Sequence, residues 1–180
     1  MARIRPMILL PPAIFAVLGA LFFIGLGRDD PDGLPSALVG REAPPVQVTA
    51  LPRGILPDDA ALRADGVKLV NFWASWCPPC RAEHPQLEDI AAMGVPIHGI
   101  NHKDRPDDAL KFLDELGDPF VTLGADANGR MGIDWGVYGL PETFVVDGSG
   151  KVVLRFAGPI TREVLQNTIL PAIRAAESGG

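Results

Sequence analysis

Only two cysteines occur in the 180 residues, and they stand three positions apart. Two are too few for a disulfide scaffold, which needs several bridges. No second cysteine pair accompanies them. His84, four residues after Cys80, still leaves a zinc site short of ligands. Lys and Arg never gather into a cluster, and the formal net charge is −6. A nucleic-acid footprint is excluded on those grounds. No internal repeat or low-complexity tract is present. What remains, with 47% hydrophobic residues, is enough for one globular domain and a short appendage.

Charge is missing altogether from Met7 to Gly27, MILLPPAIFAVLGALFFIGLG. As a helix this run would span about 30 Å, roughly the hydrocarbon thickness of a bilayer. Arg3 and Arg5 precede it, and Asp29, Asp30 and Asp32 follow. Positive residues favour the cytoplasmic side, so the N-terminus stays inside and the rest is exported. The run is longer than a signal-peptide core of roughly 7–15 residues, and no small-x-small exit follows. An uncleaved anchor over 1–27 is therefore favoured over a cleaved signal. It is followed by a Pro-, Asp- and Gly-rich linker over 28–45, a domain over 46–176 and a flexible tail over 177–180. Export would let a cysteine pair persist as a disulfide.

Along the domain, Val46–Leu51 and Val67–Ala74 read as strands, the second as a buried central one. Asp58 opens a helical turn. Pro78–Met93 has helical spacing, with a kink expected at Pro85 and a stop at Gly94. A strand over 95–101, a helix over 104–116, a short strand over 120–123 and a helical turn over 129–135 follow. Asp147-Gly148-Ser149-Gly150 joins two strands, 142–146 and 151–156, in a strong hairpin signal. Thr161 caps a last helix to Ala176, with a bend expected at Pro171. Alternating strands and helices imply parallel strands, and the hairpin adds antiparallel ones. The fold class is α/β, a mixed central sheet flanked by helices.

Both cysteines lie in Phe72–Pro85, FWASWCPPCRAEHP, at a strand exit and a helix start. Haem attachment needs C-x-x-C-H, and position 81 is Arg. A structural staple closing so small a loop removes little chain entropy. The position favours redox chemistry. Unpaired N–H groups and the helix dipole stabilise a thiolate at Cys77, and Cys80 is near enough to attack a mixed disulfide. Pro78 and Pro79 suit the first turn, where no N–H donor is required, but they also remove two donors that could stabilise the Cys77 thiolate, so the sequence leaves the direction of its pKa shift open. Trp76 is either part of an apolar platform or core packing. Glu83 lies three residues after Cys80 on the same helix face, so it is either a proton relay for Cys80 or a solvated acid. Arg81 and His84 read as surface residues. Pro141 is either a cis proline placed against a thiol-bearing partner or an ordinary turn proline.

NFWASWCPPC resembles the active site of the thioredoxin superfamily. Together with CRAEH, GVYGLPETFVVDGSG, NHKD at 101–104 and KFLDELGDPF, it is similar to the cytochrome c biogenesis thiol:disulfide interchange proteins of the CcmG/DsbE type. The resemblance covers roughly Val39 to Ile173 plus the anchor. It implies a thioredoxin-like fold on a single-pass inner-membrane anchor, with the catalytic domain in the periplasm. The implied protein keeps the haem-binding thiols of apocytochrome c reduced, directly or through a component of the haem-ligation complex. Its electrons come from a membrane thiol reductase. No cofactor or metal is implied beyond the Cys77–Cys80 disulfide. Cys77 becomes the nucleophile, Cys80 the resolving thiol, Glu83 the active-site acid and Pro141 the cis proline, with Tyr138 and Glu142 along the partner groove. Asn71 stands where thioredoxins carry a buried Asp, and it cannot transfer a proton. The rival functions are a dithiol oxidant for exported proteins and a non-catalytic docking module.

Overall fold

Lys68–Trp73 forms β2, and all six of its residues are buried, as a strand covered on both faces requires. The computed structural model describes residues 6–26 and 37–178, as two units divided between Pro35 and Ser36. Residues 1–5 and 27 of the expected anchor, residues 28–36 of the expected linker and the last two residues of the expected tail lie outside the described residues. The first unit contains helix α1, Pro6–Leu26, with Pro11 and Pro12 inside it. Its side chains are described for residues 10–23. Among the described residues no helix is long and apolar enough to cross a membrane.

The second unit is a six-stranded sheet in the order β1-β4-β3-β2-β5-β6. Its strands are β1 (Thr49–Ala50), β2, β3 (Ile97–His102), β4 (Thr122–Asp126), β5 (Glu142–Val146) and β6 (Val152–Ala157). β2, β3 and β4 run parallel, while β1, β5 and β6 pair antiparallel, so the sheet is mixed as expected. The helices of this unit are α2 (Asp59–Leu62), α3 (Pro78–Ala92), α4 (Pro106–Leu116), α5 (Arg130–Asp134), α6 (Arg162–Val164) and α7 (Leu170–Ser178).

The period-2 alternation of the strands divides the core between the two faces. Val70, Phe72, Ile100, Phe144 and Val146 meet Met131 and Trp135 on one face. The Phe72, Trp135 and Phe144 rings lie 5.0–5.8 Å apart in tilted or edge-on pairs. Each such pair adds about 0.5–1.5 kcal/mol beyond burial. On the other face Leu69, Ile97 and Val145 pack on Leu87 and Ile90 of α3 and Ile173 of α7. Nearer the cysteines, Trp73 meets the Phe112 ring of α4 at a tilt and stacks on Phe120, with ring centres 5.0 and 5.5 Å apart. A Cβ at Gly99 would come within 2.7 Å of the Phe120 ring, so this strand position is kept bare.

Several elements differ from their sequence reading. The first strand shrinks to two residues because Asp59 Oδ1 takes the Val46 N–H at 2.8 Å. Lys68 interrupts the apolar run of β2 yet is buried. Its ammonium donates to the carbonyls of Leu62 (3.2 Å), Asp147 (3.3 Å) and Ala64. Burial lowers its pKa. Residues 40–43, assigned by sequence to the linker, run along β6. Gly40 N–H donates to Val152 O and Val152 N–H to Arg41 O, at 2.8 and 2.9 Å, and Ala43 enters the core.

The C-terminal helix is interrupted by a π turn, Leu165–Ile169, in which Leu170 N–H reaches back to Leu165 O. Pro171 follows at once. It has no N–H to give and would crowd the carbonyl four residues back, so the backbone widens just ahead of it. Asp58 caps α2 by accepting from Ala61 N–H at 2.7 Å. Asp58→Ala is expected to cost about 1 kcal/mol, read as a lower thermal midpoint with unchanged far-UV spectrum.

Candidate redox site

β2 ends at Trp73, and four residues later Cys77 takes the N-cap of α3 in extended backbone (φ −94°, ψ 104°). The cap has a sulfur acceptor: Cys80 N–H donates to Cys77 Sγ at 3.2 Å. Pro78 and Pro79 fill the first turn, where missing donors cost nothing, and both are exposed. Cys77 and Cys80 are joined by a disulfide with their Cα atoms 5.3 Å apart. Both residues are buried, in a cluster with Trp73, Ala74, Ala109 and Phe112. Leu140 packs against the same cluster, and the Leu140–Pro141 bond is cis. The loop before β5 therefore shares a core cluster with the cysteines.

Trp76 is 57% exposed, which rules out core packing. Its indole N–H donates to Lys103 O at 3.1 Å. The turn that carries it is held by Asp104, a half-buried carboxylate. Asp104 accepts from Ser75 N–H (2.6 Å), Ser75 O–H (2.8 Å), Asn101 Nδ2 (2.9 Å) and Arg105 N–H (2.8 Å). Lys103, between them, adopts a left-handed φ of 47°. NHKD is thus the brace of the segment entering Cys77. The motif is visible in the sequence, but this role was not.

Glu83 is fully buried. Its Oε1 accepts from Asn71 Nδ2 at 2.9 Å and its Oε2 from Ile160 N–H at 2.9 Å. Burial raises its pKa to about 7, against the pull of those two donors. The surface-acid reading is therefore closed. His84, read from the sequence as a surface residue, is buried too. Its Nε2 lies 3.0 Å from Gly117 O, its ring packs edge-on to Phe112, and burial lowers its pKa. Arg81 remains at the surface, 3.2 Å from Glu115 and over the Phe112 ring.

Tyr138 is half exposed, with the Arg155 guanidinium 4.9 Å from its ring centre. Glu142 does not face the groove as the resemblance implies. It is fully buried, ion-paired with Arg155 Nε, and accepts from Tyr138 N–H at 3.3 Å. Burial pushes its pKa up, against Arg155. Arg155 also donates to Gly136 O at 2.6 Å, so it ties the Gly136–Tyr138 segment to β6. Nothing in the sequence singled out Arg155, because its partners come from another strand and loop. Among the described residues no group of His, Cys, Asp and Glu is arranged to hold a metal ion.

A family model described as Redoxin matches residues 38–169. The chain is 55% identical over 176 residues to the thiol:disulfide interchange protein DsbE homolog of Paracoccus denitrificans, covering 98% of each. It is 46% identical over 169 residues to the thiol:disulfide interchange protein HelX of Rhodobacter capsulatus, covering 94% of this chain and 96% of that one. Among solved structures it is similar to one from Chlorobium tepidum, assigned as a thiol:disulfide interchange protein DsbE. The TM-score is 0.58 at 29% identity, covering 74% of this chain and 99% of that one.

Proposed function

Because the chain belongs to the Redoxin family, and within it to the thiol:disulfide interchange proteins of the DsbE and HelX kind, we propose that it is the reductant of a cytochrome c maturation system. It acts outside the cytoplasm, held by an uncleaved anchor over residues 1–27. Its substrate is the oxidised haem-binding cysteine pair of apocytochrome c, or a haem-ligation component that carries those electrons. A membrane thiol reductase re-reduces it.

The observation that carries this reading is the Cys77–Cys80 pair at the N-cap of α3, in a core cluster against which Leu140, the residue before cis Pro141, also packs. In the reduced protein the Cys77 thiolate attacks one sulfur of the substrate disulfide, and the other sulfur leaves as a thiolate. Cys80 then gives its proton to Glu83. Its thiolate attacks Cys77 Sγ, closing Cys77–Cys80 and releasing the second substrate thiolate. Two electrons have passed to the substrate. The donor reverses the sequence on the disulfide. Trp76, Tyr138, Pro78 and Pro79 form the exposed rim against which the partner chain lies. The burial of Glu83 supports its part, since an acid near neutrality can both take and return a proton.

Cys80→Ala removes the resolving thiol, so partners are expected to accumulate as mixed disulfides on Cys77, identified after alkylation by mass spectrometry. Apocytochrome c or haem-ligation components among them support the reading. A trapped set of unrelated exported proteins would replace it with the oxidant function.

A further inference from the structure

Asn71 sits at the centre of β2, directly opposite Thr143 in the β2–β5 ladder, with Glu83 of α3 above it. Its Nδ2 spends both hydrogens, one on Glu83 Oε1 at 2.9 Å and one on Thr143 Oγ1 at 3.0 Å. Its Oδ1 is buried and has no partner among the described residues. Asn71 and Thr143 are fully buried. A buried amide that leaves its strongest acceptor empty needs a reason.

The reason lies in the donor and acceptor inventory. An ionised Glu83 offers only acceptors, so the amide must present its nitrogen, and Thr143 must accept. A protonated Glu83 keeps Oε2 on the Ile160 N–H and carries its hydrogen on Oε1. The unfilled acceptor beside that hydrogen is Asn71 Oδ1, brought round by a half-turn of the amide. Oδ1 then accepts from the Glu83 O–H and from the Thr143 O–H, and Nδ2 becomes the unpaired group. Each orientation has two hydrogen bonds and one orphan, so the choice between them falls to the proton.

The other groups around Glu83 are neutral. Cys80 precedes it on α3. Gln86, with its amide nitrogen turned inward, donates to Ile160 O at 3.1 Å and Glu83 O at 3.3 Å. β5 contributes Thr143, and the segment before α6 contributes the Ile160 amide. Among the described residues no other charged side chain shifts the Glu83 proton affinity: burial raises it, and the Ile160 and Asn71 donors lower it. With a pKa of about 7, both protonation states are populated near neutrality.

We infer that Asn71 is a positioning residue whose side-chain amide turns over when Glu83 takes up a proton, reversing the hydrogen bond to Thr143 on β5. The inference rests on the reading of Glu83 as the proton acceptor for Cys80. It extends that reading across the sheet, because Thr143 stands two residues after Pro141. Uptake of the Cys80 proton on α3 is thereby felt on the strand that carries the partner loop. Asn71 is then more than a replacement for a buried Asp: it cannot carry the proton but can sense it.

The test is a titration of the full-length oxidised protein in neutral detergent, from about pH 5 to about pH 9, with labelled Asn amides and Glu carboxyls. Cross-peaks between the Asn71 Nδ2 hydrogens and both Glu83 and Thr143 are expected above the Glu83 midpoint and lost below it. Glu83→Gln, a neutral stand-in for the protonated acid, should lack them at every pH. Cross-peaks that persist below the midpoint, or in Glu83→Gln, would overturn the inference. An unchanged pH–rate profile in Glu83→Gln would instead remove the proton-acceptor reading, and it is scored on turnover, not on cross-peaks. If Glu83→Gln does not fold, the wild-type titration alone decides.

Discussion

Cys77→Ser is expected to lower thiol–disulfide turnover by at least about 10³-fold, because a serine hydroxyl cannot supply the thiolate that attacks. The effect is specific to this sulfur by position. Cys77 holds the N-cap and receives the Cys80 N–H at 3.2 Å, whereas Cys80 lies one turn inside α3. Cys80→Ser should therefore behave differently. Its first attack on a peptide disulfide should proceed, releasing one thiol per protein molecule, and then stop at the mixed disulfide. Single-turnover kinetics with the dithiothreitol-reduced protein separates the two. Turnover of Cys77→Ser within tenfold of wild type, or loss of the first phase in Cys80→Ser, would reverse the assignment of nucleophile and resolving thiol.

The second large effect is on stability. Glu83 titrates near 4.5 when exposed and at about 7 when folded, raised by burial. The folded state holds the proton more tightly, so this contribution is complete below about pH 4.5 and is lost as pH rises through about 7. The loss amounts to about 3 kcal/mol. His84 and His98 have folded pKa values lowered by burial, so their contributions run the other way, being lost as pH falls. The measurement is therefore a difference. Urea unfolding of wild type and Glu83→Gln at about pH 4 and about pH 8 should show the variant gaining about 3 kcal/mol relative to wild type. A pH-independent difference would mean that Glu83 is not held as a high-affinity proton site.

The elements that carry their own signal were readable from the chain. Cys77 and Cys80 announce the N-cap of α3, the DGSG turn announces the β5–β6 hairpin, and Gly94 and Gly117 end helices with φ of 85° and 102°. Boundaries set by distant partners were not readable. The sequence pattern starts this strand at Phe120, but Asp118 Oδ1 accepts its N–H and its ring packs over Gly99, so pairing begins at Thr122. The same holds at the site. Spacing placed Glu83 on the correct face, but only the sheet reveals that Asn71 and Ile160 hold it. His84 looks like a surface residue until Gly117 and Phe112 close over it. Lys68 reads as a flaw in an apolar strand until three carbonyls, from the end of α2, the turn after it and the β5–β6 hairpin, converge on it.

The strap over residues 40–43 has a mechanical consequence. Chain tension arriving from the N-terminal side enters this unit through the bonds that Gly40, Arg41 and Ala43 make with Gly150 and Val152. A pull is thus delivered to the outer strand and its hairpin, at the β6 edge of the sheet, with β5 between it and β2. The first bonds to peel would be those of the strap itself, a weak fuse in series. The helix bearing the cysteines takes no part in that load path, so force applied ahead of residue 40 would leave the redox chemistry undisturbed.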